Sequence, residues 1–103
     1  NYENLVQLYD SIAEKHPSLE IPEGNLNVLG LQLVFNPETS LQGINVFLLA
    51  TKLYPNSSNL YDSLAEGYLF MGDKAKAIEN FEKSLKLNPQ SQNALHRLQQ
   101  LKK

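Results

Sequence analysis

Two histidines, one pair of carboxylates and no cysteine make up most of the reactive inventory of this chain. His16 precedes Pro17 at the end of an expected helix, where the helix dipole favours a cation. His96 stands beside Arg97 on the last expected helix. Neither histidine has a second histidine or a carboxylate at metal-ligand spacing, so capping and surface roles account for both. Asp62 and Glu66 stand four residues apart, on one face of a helix. Two carboxylates so placed could hold a cation, but like charges at that spacing ordinarily form a solvated face. Without cysteine there is no disulfide and no thiolate chemistry. The chain has no Gly-x-Ser-x-Gly elbow, no Ser-x-x-Lys in a suitable setting and no glycine-rich phosphate loop. The residues therefore assign no catalytic group, no metal ligand and no cofactor, and the chain reads as non-catalytic. Function is to be sought in a surface.

The surface depends on the elements that carry it. Ser58 to Ser91 reads as two amphipathic helices, about Asn59 to Met71 and Lys74 to Leu87, broken at Gly72-Asp73 and stopped at Asn88-Pro89. Tyr61, Leu64 and Tyr68 fall on one stripe, with Leu64 and Leu85 placed to fill the space between helices. Ala65 and Ala77 are small where the two helices must approach. Residues 2–16 carry Leu5, Leu8, Tyr9, Ile12 and Ala13 at helical spacing, and Pro17 ends that helix. Ser18 to Gly24 is a connector. A helix from near Glu23 to about Phe35 repeats the pattern with Leu26, Leu29, Gly30 and Leu33. Asn36-Pro37 breaks it, Thr39 or Ser40 can cap the next helix, and that helix continues to about Leu53. Gly43, Phe47 and Pro55 then stand in the places of Ala77, Phe81 and Pro89. A last helix over residues 92–101 has Leu95, Leu98 and Leu101 on one side and polar residues on the other.

Bulk properties exclude several classes. At 103 residues the chain is long enough for one domain with a modest core. With 42% apolar and 19% charged residues it has the composition of a folded domain. Its longest near-continuous apolar run, Val46 to Ala50, is far too short to span a membrane. Residues 1–52 carry six acids and two lysines, and residues 53–103 five acids and seven cations. Neither half has a dense basic stripe, which argues against nucleic acid as a partner. No charged-then-apolar leader opens the chain, and a start at Asn1-Tyr2-Glu3 reads as a piece of something longer.

The order Tyr61, Leu64, Ala65, Tyr68, Ala77, Phe81, Pro89 resembles the tetratricopeptide repeat (TPR) pattern, with tyrosine for its tryptophan and alanine for its glycine. From Pro55 to Pro89 is one such period. The resemblance implies an all-α, right-handed superhelical stack of antiparallel helix pairs, about six helices in a single domain. Residues 1–22 would be a half repeat and connector, 23–57 a first repeat of about 35 residues, 58–91 a second, and 92–103 a capping helix. The wording of YENL, IPEGNLNVLGLQL and LYPNSSNLYDSLAEGYL further resembles the C-terminal TPR segment of some bacterial serine hydrolases, α/β-hydrolase esterases and β-lactamase-like enzymes. That implies a chain whose catalytic domain lies outside it, in a parent that could be secreted or periplasmic. None of the hydrolase catalytic motifs occurs here.

In a TPR the first helix of each repeat lines a concave, peptide-binding side. Registered on that pattern, the inner positions include Asn27, Val28, Leu31, Val34 and Phe35, then Asn59, Asp62, Ser63, Glu66 and Phe70, then Asn93, His96, Arg97 and Gln100. A known use of this side is a clamp of lysine, asparagine and arginine on a chaperone's C-terminal acid. Its positions fall on Asn27, Leu31, Ser63, Asn93 and Arg97. Only Arg97 fits, and Glu66 would repel an acidic tail. What is left is a surface apolar at Leu31, Val34 and Phe35 and acidic at Asp62 and Glu66, suited to a basic or apolar segment. The helix GINVFLLATKL is apolar nearly all round, so it should be buried on both sides, yet Leu48 has no obvious cover. Leu48 is either a lone exposed leucine or a contact to a missing domain or second copy. The partner-binding residues expected are thus Asn27, Leu31, Val34, Phe35, Leu48, Asp62, Glu66, Phe70 and Arg97. The expected partners are a protein or peptide, the parent's catalytic domain, or a second copy of the chain. The competing readings are a lid over a hydrolase active site and a freestanding adaptor.

Overall fold

The computed structural model describes residues 21–102. The helix expected over residues 2–16, with His16, Pro17 and most of the leading half repeat, lies outside the described residues. Within them the chain folds into five helices and no strand. They are α1 (Glu23–Val34), α2 (Ser40–Leu53), α3 (Ser58–Phe70), α4 (Lys74–Leu87) and α5 (Gln92–Leu101). Helices α1 and α2 pack as one pair, α3 and α4 as the next. Helix α3 also packs on α2 and on α1, and α5 closes on α4. This is a TPR-like helical repeat.

Local chemistry sets the breaks. The Ser57 hydroxyl accepts the Leu60 amide at the start of α3, and Asp73 accepts the Lys76 amide at the start of α4. Helix α3 ends where Gly72 takes φ +86°, a conformation that costs glycine nothing and a side chain much. The Asp73 amide there reaches back to the Tyr68 carbonyl at 2.9 Å, and the Gly72 amide to Leu69 at 3.0 Å. This is a Schellman closure, so α4 can start at once. The turn after α1 works differently. Asn36 Oδ1 accepts the Glu38 amide at 3.0 Å. The Thr39 hydroxyl donates to the Leu33 carbonyl at 2.7 Å, and Ser40 to the Val34 and Asn36 carbonyls at 2.8 and 2.9 Å. These two side chains therefore close the end of α1 and do not cap α2 as the sequence reading has it. The carbonyls left bare at a helix end compete for the same hydroxyls.

The core forms two clusters, the first spanning α1, α2 and α3 and the second α3, α4 and α5. The first holds Leu26, Val34, Ile44, Val46, Phe47, Leu49, Ala50, Leu60 and Leu64, and the second Ala65, Ala77, Phe81, Ala94 and Leu98. Phe47 and Phe81, at equivalent places in the sequence, are both fully buried. Helix α2 is buried on more than one side, as its apolar residues require. Tyr61 and Tyr68 are half-buried, each under a lysine ammonium of α4: Lys83 over Tyr61 and Lys76 over Tyr68, at 5.6 and 5.5 Å from the ring centres. Ser84 is a buried polar residue that pattern reading passes over. It has no exposure, and its hydroxyl donates to the Ser58 carbonyl at 2.9 Å, which ties α4 to the start of α3. In α5 the expected stripe is corrected: Ala94 and Leu98 are buried, whereas Leu95 is exposed.

Candidate protein-interaction surface

Helices α1 and α3, the first members of the two pairs, and the last helix α5 are linked side by side by polar side chains. Between α1 and α3 the Ser63 hydroxyl donates to Asn27 Oδ1 at 2.8 Å. Between α3 and α5 stands a denser clasp. Asn93 Nδ2 donates to Asp62 Oδ1 at 2.7 Å and to Glu66 Oε2 at 2.9 Å, and Arg97 Nε donates to the same Glu66 oxygen at 2.9 Å. Helical spacing puts Asp62 and Glu66 on one face of α3, and the same spacing puts Asn93 and Arg97 on the opposing face of α5. Two matched pairs four residues apart therefore meet across the helix junction.

This geometry changes the reading of the acidic pair. Asp62 and Glu66 are not a free acidic patch awaiting a basic ligand, because their nearest partners are supplied by α5. Arg97, the one residue that suits a carboxylate clamp, is committed to Glu66. The Asp62 carboxyl sits above the ordinary aspartate range. Burial raises it most, the Asn93 bond lowers it, the Glu66 charge raises it and the Arg97 charge lowers it.

The apolar part of the surface lies at the end where α1 and α3 finish. Phe35 and Phe70 meet edge to face, with ring centres 5.5 Å apart and planes at 90°. Both remain nearly half exposed, at 46% and 47%. Met71 beside them is exposed too, and sequence reading missed it because it falls on the helix boundary. Leu31 is half-buried and packs on the first core cluster.

One expected surface residue is corrected. Val34 has no exposure and belongs to the core. A Cβ placed on Gly43 would lie 2.5 Å from the Val34 nitrogen, and one on Gly67 would lie 2.6 Å from Val34 Cγ2. Two glycines thus open the slot that takes this side chain. Leu48 is exposed, but it stands on α2 and not with the residues of α1, α3 and α5. The structure therefore brings together Phe35 with Phe70, and Asp62 and Glu66 with Arg97. Asn27 joins them through Ser63, Val34 is withdrawn into the core, and Leu48 stays apart.

Among the described residues no group of three or more His, Cys, Asp or Glu could hold a metal ion, and no helix is long and apolar enough to cross a membrane. In comparison with known protein families, residues 58–91 match the tetratricopeptide repeat. No curated protein matches the chain. The matched segment covers α3, the Gly72 turn and α4, the stretch whose core positions agree best with the repeat pattern.

Proposed function

We propose that the chain is a non-catalytic helical-repeat module for protein–protein or domain–domain contact, and that its contact surface is centred on the Phe35–Phe70 pair. The observation that carries this reading is that pair: two large aromatic side chains, in mutual contact, left exposed at the rim of the face formed by the first helices of two repeats. Exposed aromatic clusters on a rigid scaffold are where binding free energy concentrates. The tetratricopeptide repeat at residues 58–91 supports the class of function, since the fold works by presenting a preformed surface. The rigid linkage of α1, α3 and α5 lowers the cost of ordering that surface on binding. A selection of binding peptides from a displayed library tests it. Binders should lose at least about tenfold in affinity to Phe70→Ala, with the helical spectrum unchanged. Equal affinity for wild type and Phe70→Ala would move the contact elsewhere.

A finer reading makes the chain the C-terminal appendage of a bacterial serine hydrolase. The resemblance of YENL, IPEGNLNVLGLQL and LYPNSSNLYDSLAEGYL to such segments supports it. The coding sequence in frame before Asn1 decides: a catalytic domain there agrees with the appendage, and a stop codon directly upstream excludes it. In such a parent, deletion of residues 1–103 should spare turnover of a small ester and remove a domain or subunit contact. Loss of turnover would favour the lid.

A further inference from the structure

Helix α2 keeps two leucines largely in solvent, Leu41 at 56% and Leu48 at 40% exposure. They stand seven residues apart and so share one face, with Asn45 between them. The exposed Glu38 and Lys52 lie seven residues to either side of Asn45. The opposite side of α2 is spent on α1, where Gly43 meets Val34 and Phe47 meets Gly30. The fold does not ask for leucine on the outer face. The equivalent positions of α4, one repeat period on, are Ala75, Glu79, Glu82 and Lys86, all exposed, an ordinary solvated face. We propose that the outer face of α2 is a self-association surface, on which a second copy of the chain lies antiparallel about a twofold axis at Asn45.

The pattern is complementary to itself in that orientation. Leu41 stands four residues before Asn45 and Leu48 three after it. A twofold axis at Asn45 therefore sets Leu41 of each copy beside Leu48 of the other. It also sets Glu38 of each copy against Lys52 of the other, at both ends of the seam. Parallel pairing would put Glu38 on Glu38 and Lys52 on Lys52, and like charges oppose it. The two Asn45 side chains, each a donor and an acceptor, can bond across the axis, and one asparagine in an apolar seam fixes its register. An ammonium has three donors, so Lys52 can reach Glu38 of the second copy alongside the interaction it makes in its own chain. A second copy supplies this whole pattern by symmetry, leucines and both charges in register.

The size of the face sets the strength. Helix α2 has 14 residues, a length of about 21 Å, and offers two leucines per copy. Such a contact falls in the small, transient class of interfaces, with a dissociation constant of about 10 μM to 1 mM. The surface lies on α2, away from Phe35 and Phe70, and stands whether or not that pair binds a partner.

Sedimentation equilibrium of the 103-residue chain, from about 10 μM to about 1 mM and at low and high salt, tests it. The wild type should show a monomer–dimer equilibrium in that range. Leu48→Glu should weaken it at least about tenfold with the helical spectrum unchanged, because the side chain is already exposed. Glu38→Lys should weaken it about twofold or more at low salt and less at high salt. Phe70→Ala should leave it unchanged. A chain that stays monomeric at about 1 mM would overturn the proposal, as would a dimer that survives Leu48→Glu or one that is lost in Phe70→Ala. A Glu38→Lys dimer as tight as the wild type at low salt would overturn the antiparallel pairing.

Discussion

Gly43→Ala is the most searching perturbation of the packing. An added Cβ would lie 2.5 Å from the Val34 nitrogen, 2.7 Å from its Cα and 2.8 Å from its Cβ. The obstacle is backbone, so no side chain can swing away, and α1 and α2 must separate by roughly 1 Å to restore an ordinary contact. Overpacking of this kind costs about 1–3 kcal/mol, and a backbone obstacle places it at the upper end. Against that, alanine favours the helix over glycine by about 1 kcal/mol. The net expectation is a loss of about 1–2 kcal/mol, or roughly 5–15 °C in Tm for a domain of this size. Gly24→Ala is the control. It sits in the first turn of α1 with nothing within 4 Å of its Cβ, so it should gain a few tenths of a kcal/mol up to about 1. Thermal and urea melts followed by circular dichroism at the helical minimum read both. Opposite signs for the two substitutions are expected. A Gly43→Ala protein as stable as Gly24→Ala would refute the close approach of α1 and α2. The sequence contains its own comparison, because the second repeat has Ala77 at the equivalent place and buries it completely.

Three further outcomes follow from burial and bonding. Val34→Ala removes two methyl groups from a site with no exposure and should cost about 2–3 kcal/mol in a urea melt, whereas Phe70→Ala, at 47% exposure, should cost about 1 kcal/mol or less. Ser84→Ala removes the hydroxyl that donates to the Ser58 carbonyl and should cost about 1 kcal/mol, while Ser84→Leu, forced into a site with no exposure, should cost more by the same measurement. Glu66→Ala should cost about 1 kcal/mol or less in a thermal melt at low salt, because the Arg97 side chain is 38% exposed and regains water.

The helices were legible because each sequence signal acts locally. The stripe of Tyr61, Leu64 and Tyr68, the Gly72 break and Asn88-Pro89 determine α3 and α4 without reference to anything distant. The ends of α2 at Ser40 and Leu53 follow equally from the Asn36-Pro37 break and Pro55. What was not legible depends on pairs far apart in the chain. Val34 occupies a helical position that the repeat register places near the rim. It turns inward because Gly43 and Gly67, on two other helices, leave room for it. Asp62 and Glu66 show their shared face in the sequence, but their answering residues lie on α5, 27 to 31 residues on. Thr39 and Ser40 are good capping residues by type, and only the approach of the α1 carbonyls decides which helix end they serve. Ser84 reads as an unremarkable polar position until the start of α3 is placed against it. Phe35 and Phe70 lie at the ends of different helices, one in each repeat, and only their contact in the fold joins them into one feature.

The central claim is that this face, and not another, receives a protein partner. Chemical-shift mapping of the 103-residue chain with a peptide selected for binding tests it most directly. Perturbations are expected to gather on Asn27, Leu31, Phe35, Phe70 and Met71 and to vanish in Phe70→Ala. Perturbations centred on Leu48 and the exposed side of α2 would contradict the account.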